Sequence, residues 1–342
     1  MTMGNDEIIL TIGIPNYNRS DLLRLLVGDT ISQIRSISKD TGGGIEIFVC
    51  DDNSTDDSVD AVCKLAEDNP DVAIRIARNA TNLDFSRNFE KTIRLSRGKF
   101  VFLMSNDDGL FPNAIKTVLE VVKKHPDIAL GFFKEQAFEE TLTTPIRPFN
   151  PGKDTYYSLG SEWVAENNSC VPCLISGWLL NRELWLGESR EEWLASNALQ
   201  IPIGMSMMAK YPCYWHRSTP IIRYREGNGV WNTQRDPLCP YSGLNAYFHG
   251  AYAMRGKYPP RLRRSIYWQA VRTSCGHTIR NKVLNIPIRL KDAEALLKPY
   301  FDYSWPSCVW TLVLRILLRT PKWMLYFPFR WLVPAKMTSE YL

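Results

Sequence analysis

Two short acidic loops contain residues whose types and spacing could do chemistry. Asp51 and Asp52 open the segment DDNSTDD, Asp107 and Asp108 close the segment SNDD, and each segment directly follows an apolar run. Adjacent carboxylates repel each other unless a cation lies between them or water screens them, and hard divalent ions prefer oxygen ligands. Asp107 and Asp108 therefore predict a magnesium or manganese site that bridges a diphosphate. A solvated acidic turn is the alternative interpretation of this pair.

The first loop has a different expected role. Asp51 stands at the end of its apolar run, where a carboxylate can accept hydrogen bonds from the edge of a base or from sugar hydroxyls. The competing interpretation is helix capping by Asp52, Ser54 and Asp57, because a helical pattern follows them. Ser54 or Thr55 is predicted to cap that helix, and Ser20 is predicted to cap the helix before it.

The elements that must position these loops alternate between strand and helix patterns. Apolar, β-branched runs predict strands at 8–14, 45–50, 72–77, 99–104 and 129–133. Helical spacing between them predicts helices at 22–34, 59–66, 85–95 and 113–124. Strands separated by helices predict right-handed crossovers and a mainly parallel sheet, which binds ligands beyond the carboxyl ends of its strands. The predicted fold class is therefore α/β, with both acidic loops at one edge of the sheet.

The pattern changes in the second half of the chain. Segment 141–160 is rich in proline, threonine and aromatic residues and predicts a long loop. Segment 174–186 predicts a strand followed by a helix, and 193–210 predicts a helical stretch. Segment 214–224 is predicted to return to the sheet, and helical patterns resume beyond residue 241.

The composition of the chain excludes several classes of protein. Its 342 residues are 45% hydrophobic and 23% charged, a balance typical of globular proteins and not of disordered ones. A net charge of +5 is too small to predict a nucleic-acid partner. Eight scattered cysteines behind an N-terminus without a signal-peptide pattern predict a reducing cytoplasm. The pair Cys170 and Cys173 has no second pair to complete a zinc site, so zinc and redox chemistry are not favoured.

Four segments together resemble glycosyltransferase family 2, the inverting nucleotide-sugar enzymes of the GT-A fold. In chain order they are 14–19 (IPNYNR), 51–56 (DDNSTD), 82–88 (NLDFSRN) and 98–108 (GKFVFLMSNDD). The resemblance covers residues 8–135 and extends more loosely to about residue 230. It implies a Rossmann-like, mainly parallel sheet flanked by helices, and transfer of a sugar from a nucleotide diphosphate sugar to an acceptor hydroxyl.

The resemblance also implies roles for single residues of these segments. Pro15, Tyr17 and Arg19 would line the nucleotide pocket. Asp51 would meet the base, and Arg87 would lie near the base or the phosphates.

One position departs from the pattern of the family. Asp107 falls on the second acid of the family's D-x-D motif, which holds the metal, but Ser105 replaces the first acid. The resemblance therefore implies a manganese- or magnesium-dependent enzyme in which the first acid's contact with the ribose or the metal is weakened or moved. S-x-D-D variants of this kind are similar to the enzymes that build bacterial O-antigen and capsule repeat units.

A family 2 enzyme needs a carboxylate that deprotonates the acceptor hydroxyl as it attacks the anomeric carbon. Glu191 and Glu192 in the segment GESREEW are joint candidates, and a solvated helix face is the alternative. His216 is a weaker candidate, because a lone histidine beside aromatic residues is more often packed than catalytic. Arg225 is predicted to neutralise the departing diphosphate, with surface pairing as the alternative.

The C-terminal segment 303–342 combines many aromatic residues with five basic residues against one acid. This composition suits the headgroup layer of a membrane. Arg315, Arg319 and Lys322 interrupt the best candidate for a membrane span. The segment therefore predicts an amphipathic tail that attaches the protein peripherally to the inner face of the cell membrane. A helix packed on the enzyme or on a second subunit is the alternative.

These inferences divide the chain into four parts. Residues 1–135 are predicted to bind the nucleotide sugar, and residues 136–235 are predicted to bind the acceptor. Residues 236–302 are predicted to form helices, and residues 303–342 are predicted to form the tail. The predicted function is sugar transfer to a polyprenyl-diphosphate-linked glycan in bacterial surface polysaccharide synthesis. One alternative is a catalytically inactive carbohydrate-binding or scaffold protein with the same fold. The other is a nucleotidyltransferase, which would carry a glycine-rich basic loop after its first strand.

Overall fold

The computed structural model describes residues 7–37, 44–189, 191–194, 198–226, 250, 254–265, 316, 319–321 and 324, apart from the side chain of Glu192. Most of the predicted helical region 236–302 and of the predicted tail lies outside the described residues. Both acidic loops lie within them.

The described elements alternate between strands and helices in the first half of the chain. The strands are β1 Ile8–Asn16, β2 Gly44–Asp51, β3 Ala73–Arg78, β4 Phe100–Leu103, β5 Gly109–Leu110, β6 Leu130–Phe133, β7 Glu135–Phe138, β8 Thr155–Tyr157, β9 Trp178–Asn181, β10 Cys213–His216 and β11 Ile222–Arg225. The helices are α1 Ser20–Ser36, α2 Ser58–Asp68, α3 Asp84–Leu95, α4 Ala114–Lys124, α5 Gly160–Asn167, α6 Arg182–Glu188, α7 Glu191–Leu194 and α8 Gln200–Met208. The predicted strands and helices of the first 135 residues are all present, with ends that differ by a few residues.

A large sheet has the strand order β3-β2-β1-β4-β9-β6-β10-β8, and a small sheet has the order β5-β11-β7. In the large sheet β3, β2, β1 and β4 are parallel neighbours, and β10 is parallel to β6. Strand β9 is antiparallel to both of its neighbours, and β8 is antiparallel to β10. The predicted α/β class is confirmed. The apolar run of β9 does not predict its reversed direction, because hydrophobic pattern carries no information on strand direction.

Side chains along the central strand β4 alternate between two cores, which shows that both faces of the sheet are covered. Phe100 and Phe102 pack into the core that includes α1 and α4. Val101 and Leu103 pack into the core that includes α3, α6 and α8. Successive side chains of a strand point to opposite faces, so β4 must be apolar throughout to serve both cores.

The starts of α1 and α2 differ from the predicted caps. Ser20 is the first residue of α1, and its backbone N–H donates to Oδ2 of Asp56 at 2.9 Å. Oδ1 of the same carboxylate accepts from the backbone N–H of Ser58 at 3.1 Å. The predicted capping by Ser20, Ser54 or Thr55 is therefore wrong. One aspartate serves both helices, because the loops after β1 and β2 lie side by side.

The second half of the chain is more divided than its sequence predicts. The predicted loop 141–160 contains β8, and the predicted helical stretch 193–210 contains the end of α7 and all of α8. Segment 214–224 divides between the two sheets, since β10 joins the large sheet and β11 the small one. Among the described residues, no helix combines the length and the apolar character needed to cross a bilayer.

Candidate active site

Asp51 is fully buried at the C-terminal end of β2. Its Oδ1 accepts from Nδ2 of Asn16 at 2.8 Å and from Oγ of Ser54 at 2.5 Å, and its Oδ2 accepts from the backbone N–H of Ser54 at 2.9 Å. Asn16 ends β1, so the parallel pairing of the two strands brings these side chains together. Asp51 therefore holds the two loops in register, and a contact with a ligand would add to these bonds.

Buried asparagines connect the same edge to the loop after β3. Nδ2 of Asn79 donates to Oδ1 of Asp52 at 2.7 Å and to Oδ1 of Asn88 at 3.0 Å. Nδ2 of Asn88 donates to the carbonyl of Cys50 at 3.0 Å. Sequence reasoning did not assign either asparagine. The available signal was the position of Asn88 beside Phe89 on a face of α3 that also buries Ser86, Glu90 and Thr92.

The loop after β1 contains two consecutive non-glycine residues in the left-handed region, Asn18 with φ 57° and Arg19 with φ 66°. Such conformations cost free energy and persist only where the surroundings hold them. Here the backbone N–H of Asn18 donates to Oγ of Ser54 at 2.7 Å, and Oδ1 of Asn18 accepts from the backbone N–H of Thr55 at 2.9 Å. The resulting turn directs the guanidinium of Arg19 to the second acidic loop.

The other residues predicted for the nucleotide pocket lie at or after the carboxyl ends of β1 and β3. Pro15 is partly buried within β1, and the ring of Tyr17 after the strand is exposed. Arg87 lies in the first turn of α3, with about half of its side chain exposed. The two exposed side chains are available to a ligand at this edge.

The second acidic loop is bonded to the first strand. Nη1 of Arg19 donates to Oδ2 of Asp107, forming an ion pair, and Oγ of Ser105 donates to Oδ1 of the same carboxylate. Nδ2 of Asn106 donates to Oδ1 of Asn16 at 2.6 Å. Asp107 and Arg19, two predicted site residues, are therefore in direct contact.

Asp108 faces the opposite way from its neighbour. Its Oδ2 accepts from Oγ of Ser176 at 2.6 Å, and its Oδ1 accepts from the backbone N–H of Arg225 at 2.9 Å. Burial, followed by the charge of Asp107, raises the pKa of Asp108 to about 7. Nε of Arg225 donates to the carbonyl of Asp107 at 2.7 Å, and Arg225 is buried, so pairing at the surface is wrong for this arginine.

The family model for glycosyl transferase family 2 matches residues 11–177, from β1 to the residue before β9. Residues 11–177 belong to glycosyltransferase family 2. The family 2 domain therefore contains both acidic loops and all four segments on which the resemblance rests.

Two bacterial proteins are similar to this chain in sequence. The glycosyltransferase YibD of Escherichia coli is 23% identical over 301 residues, which are 82% of each chain. The abequosyltransferase RfbV of Salmonella typhimurium is 26% identical over 129 residues, which are 37% of each chain.

Two solved structures resemble the whole described fold. TarS of Staphylococcus aureus, residues 1–349 in complex with UDP, superposes with a TM-score of 0.58 at 13% identity and covers 91% of this chain and 90% of its own. The mannosyltransferase PcManGT of Pyrobaculum calidifontis, in complex with GDP-Man and Mn²⁺, gives a TM-score of 0.51 at 16% identity, with 92% and 86% covered. At these identities the likeness shows that the family 2 domain has the GT-A fold.

Asp107 is the acid that the resemblance assigns to a divalent cation, and its two oxygens accept from the side chains of Arg19 and Ser105. Magnesium is commonly bound by one or two carboxylates together with phosphate oxygens and water. Both oxygens of Asp108 also accept hydrogen bonds from within the chain, one of them from the backbone N–H of Arg225, so a cation at either acid would replace bonds that the chain now makes. Within the described ranges, no group of three or more histidine, cysteine, aspartate or glutamate side chains could hold an ion. A diphosphate would therefore have to supply most of the ligands.

Glu191, one of the two residues predicted to act as the base, lies near α3. Glu191 begins α7, its side chain is 73% exposed, and its Oε1 accepts from Nη2 of Arg87 at 2.5 Å. Two predicted site residues are thus brought together, while the side chain of Glu192 lies outside the description. Glu188 in the same segment is buried and accepts from Oγ of Ser206 at 2.6 Å, which is a structural contact.

His216, the weaker candidate for the base, is packed at the end of β10. Its ring lies 5.5 Å from the ring of Phe133, and its Nε2 is 2.9 Å from Oγ1 of Thr219. Its Nδ1 lies 3.2 Å from Oδ2 of Asp154. Burial lowers the pKa of His216 despite this carboxylate, so the ring is neutral near neutral pH.

The C-x-x-C pair lies in the segment that leads into β9. Cys170 and Cys173 are both free thiols. Burial raises the pKa of Cys170 to about 12 and that of Cys173 to about 11, so both remain protonated and unreactive.

Proposed function

We propose that this protein transfers a sugar from a nucleotide diphosphate to a glycan acceptor with inversion, in the synthesis of a bacterial surface polysaccharide. The observation that carries the proposal is the convergence of Arg19, Asp51 and Asp107 at the carboxyl edge of β1, β2 and β4. Ligands of open α/β sheets bind at this edge.

The donor is proposed to lie across the loops after these strands. Tyr17 offers an aromatic face to the nucleotide and Arg87 offers a cation, with Pro15 beside them. Asp51, which is buried at the end of β2, contacts the base. The support from relatives is that structures of this fold are complexes with UDP, with UDP-GlcNAc and with GDP-Man and Mn²⁺. The nucleotide and the sugar of this chain's donor are for experiment to identify.

A manganese or magnesium ion is proposed to bind at Asp107 together with the diphosphate of the donor. When bound, such an ion would neutralise the negative charge that develops on the leaving nucleotide. Arg19, now paired with Asp107, and Arg225 supply positive charge from the chain at the same place. Asp108 is assigned a supporting role, since it orients the backbone of Arg225.

In the transfer step, a carboxylate of Glu191 or Glu192 takes the proton of the acceptor hydroxyl. The oxygen forms a new bond to the anomeric carbon from the face opposite the nucleotide. The bond from this carbon to the diphosphate breaks, and its electron pair leaves with the nucleotide. Attack from the opposite face inverts the configuration of the sugar.

A panel of nucleotides tests the donor site directly. We expect at least one of UDP, GDP, CDP and dTDP to raise the melting temperature, and manganese to increase this shift for the wild type but not for Asp107→Asn. Hydrolysis of the matching nucleotide sugar would then exclude an inactive scaffold protein. Release of pyrophosphate from a nucleoside triphosphate would instead favour the nucleotidyltransferase, and no stabilisation by any nucleotide would contradict the proposal.

The acceptor is proposed to be linked to polyprenyl diphosphate, and segment 305–333 to hold the enzyme at the inner face of the cell membrane. The support is compositional, because basic residues near an anionic surface contribute about 1 kcal/mol each and buried aromatic area adds to this. The similarity to an abequosyltransferase is consistent with such a pathway.

Sedimentation with vesicles tests the attachment. The whole chain is expected to bind anionic vesicles more than neutral ones, and a chain ending at Asp302 is expected to bind neither. Added salt should weaken the binding without abolishing it, because the aromatic contribution is not screened. Equal sedimentation of the two chains would mean that the tail is a packing surface.

A further inference from the structure

A cavity of about 220 Å³ lies beside the second acidic loop, and the proposed donor site does not use it. It is lined by the carboxyl ends of β6 and β10 and by the segment that enters β9. In the order of the sheet these strands follow β4 on the side away from β1 and β2. The cavity therefore opens at the same edge as the donor loops, but farther along the sheet.

The walls of the cavity are aromatic. Trp163 and Trp215 are stacked with ring centroids 3.9 Å apart, and Phe132 lies 4.3 Å from Trp215 and 4.8 Å from Trp178. The indole N–H groups of Trp163 and Trp178 are buried, and within the described part of the chain neither has an acceptor. Buried donors are normally paired, so their lack of an acceptor here is unusual.

Polar and charged groups complete the lining of the cavity. Lys134, Glu135, His216 and Arg217 all contribute to it, and Glu135 and Arg217 are exposed to solvent. An aromatic wall with a charged opening suits a sugar ring, because the C–H bonds of one ring face pack on aromatic surface while hydroxyls bond to polar groups. Lys134 and His216 already have partners in Asn150, Thr219 and Asp154, so Glu135 and Arg217 are the charged groups of the lining that a ligand can meet.

One residue joins the cavity to the acidic loop. Ser176 lines the cavity, its Oγ donates to Oδ2 of Asp108 at 2.6 Å, and the same Oγ accepts from the backbone N–H of Ser105 at 2.8 Å.

We propose that this cavity binds a sugar ring of the acceptor glycan. The proposal rests on the proposed function, because the cavity can hold an acceptor only if a donor binds at the neighbouring acidic loop. The acceptor ring lies against the tryptophans, its hydroxyls bond to the charged lining, and its reactive end faces the loop at 105–108. This assigns acceptor recognition to residues of β6, β7, α5 and β10.

A substitution that fills the cavity tests the proposal. Leu174 lines the cavity and is only partly buried, so Leu174→Trp adds volume inside it, and Leu174→Met is the matched control of nearly the same volume. The probes are the methyl glycosides of glucose, galactose, mannose, rhamnose and N-acetylglucosamine at millimolar concentration, observed by saturation-transfer NMR. We expect at least one glycoside to bind the wild type and Leu174→Met, and its affinity to fall about tenfold or more in Leu174→Trp.

A second pair of variants decides the case if Leu174→Trp fails to fold. Glu135→Gln removes a charge at the opening, whereas Glu139→Gln removes a similar exposed charge beyond the end of β7. Only the first is expected to weaken glycoside binding, about threefold to tenfold.

Nucleotide binding separates this proposal from the proposed function. Thermal shifts with UDP and GDP should be the same in the wild type and in both glutamine variants. Nucleotide binding without any glycoside binding, or glycoside binding that none of the cavity variants weakens, would overturn the cavity proposal alone. Glycoside binding without any nucleotide binding would leave a carbohydrate site and overturn the proposed function instead.

Discussion

The carboxyl edge of the sheet has two ends, and the side chains at these ends make different kinds of contact. Around β1, β2 and β4 the side chains of Asn16, Asp51 and Asp107 all bond to partners within the chain. Around β6 and β10 the aromatic rings pack on one another, and the indole N–H groups of Trp163 and Trp178 are left without acceptors among the described residues. The first end is held by hydrogen bonds between side chains, although Oδ1 of Asn79 and Oγ of Ser20 are also buried there without a partner among the described residues, and the second end is held mainly by ring packing.

This difference is what two different ligands would require. A diphosphate carries charge that must be met by groups already held in place, since reorganising dipoles during the reaction costs free energy. A neutral sugar ring is recognised by shape and by hydrogen bonds that replace its bonds to water. The comparison therefore assigns the charged ligand to the first end and the neutral ligand to the second.

The largest expected effect comes from removing the base that must act between the two ends. Either Glu191→Gln or Glu192→Gln is expected to lower the rate of transfer by about 100-fold to 10,000-fold, because proton removal from the acceptor is lost. Binding of the nucleotide, measured by calorimetry, should be retained in both variants. Glu183→Gln on the exposed side of α6 is the control. Full transfer by both variants would move the role elsewhere, with His216 next to be tested.

Asp107 lies at the centre of the end formed by β1, β2 and β4, which we call the charged end, and its substitution tests that end directly. Asp107→Asn is expected to lower turnover by about 100-fold while the fold is retained, since the change is nearly isosteric but removes the charge that faces Arg19 and a cation. Turnover at saturating donor and manganese measures it. Asp71→Asn removes an exposed partner of Arg35 and should have little effect. Near-normal turnover of the Asp107 variant would refute the metal assignment.

The stability of the charged end depends on its buried asparagines. Asn88→Ala is expected to lower the free energy of unfolding by about 2–3 kcal/mol, because the amide of Asn79 and the carbonyl of Cys50 both lose a buried partner. Urea denaturation measures the change. Asn82→Ala removes a hydrogen bond that is exposed, so it should cost much less. Equal losses would show that the network at this edge adds no stability.

The smallest effect is expected at the aromatic end, where His216 titrates. Burial lowers the pKa of His216 in the folded protein below its ordinary value of 6.5. As the pH falls below 6.5 the unfolded state takes up the proton first, so stability decreases until the folded state is protonated as well. Asp154, which faces the ring, opposes the shift.

Unfolding measurements across this range, with His216→Gln beside the wild type, test the assignment. The variant should lose part of the decrease in stability on acidification and keep the rest, which belongs to other groups. An identical pH profile for the two proteins would show that His216 keeps an ordinary pKa.

Much of the first half of the molecule followed from sequence. Hydrophobic periodicity located β1 to β4, β6 and α1 to α4, since each of these elements buries a face that its own residues encode, but it did not indicate the two-residue strand β5. The two acidic loops were expected at one edge because parallel strands end on the same side. The resemblance to family 2 was confirmed over residues 11–177, since its motifs follow directly after those strands.

Contacts between distant segments were decided by the tertiary structure alone. The sharing of Asp56 between two helices, the pairing of Glu191 with Arg87 and the reversal of β9 each join residues far apart in the chain. For Asp107 and Asp108, sequence shows that two carboxylates are present but not which donors already bond to their oxygens. The aromatic cavity had no sequence signal either, because its walls come from four separate segments that meet only when the sheet is assembled.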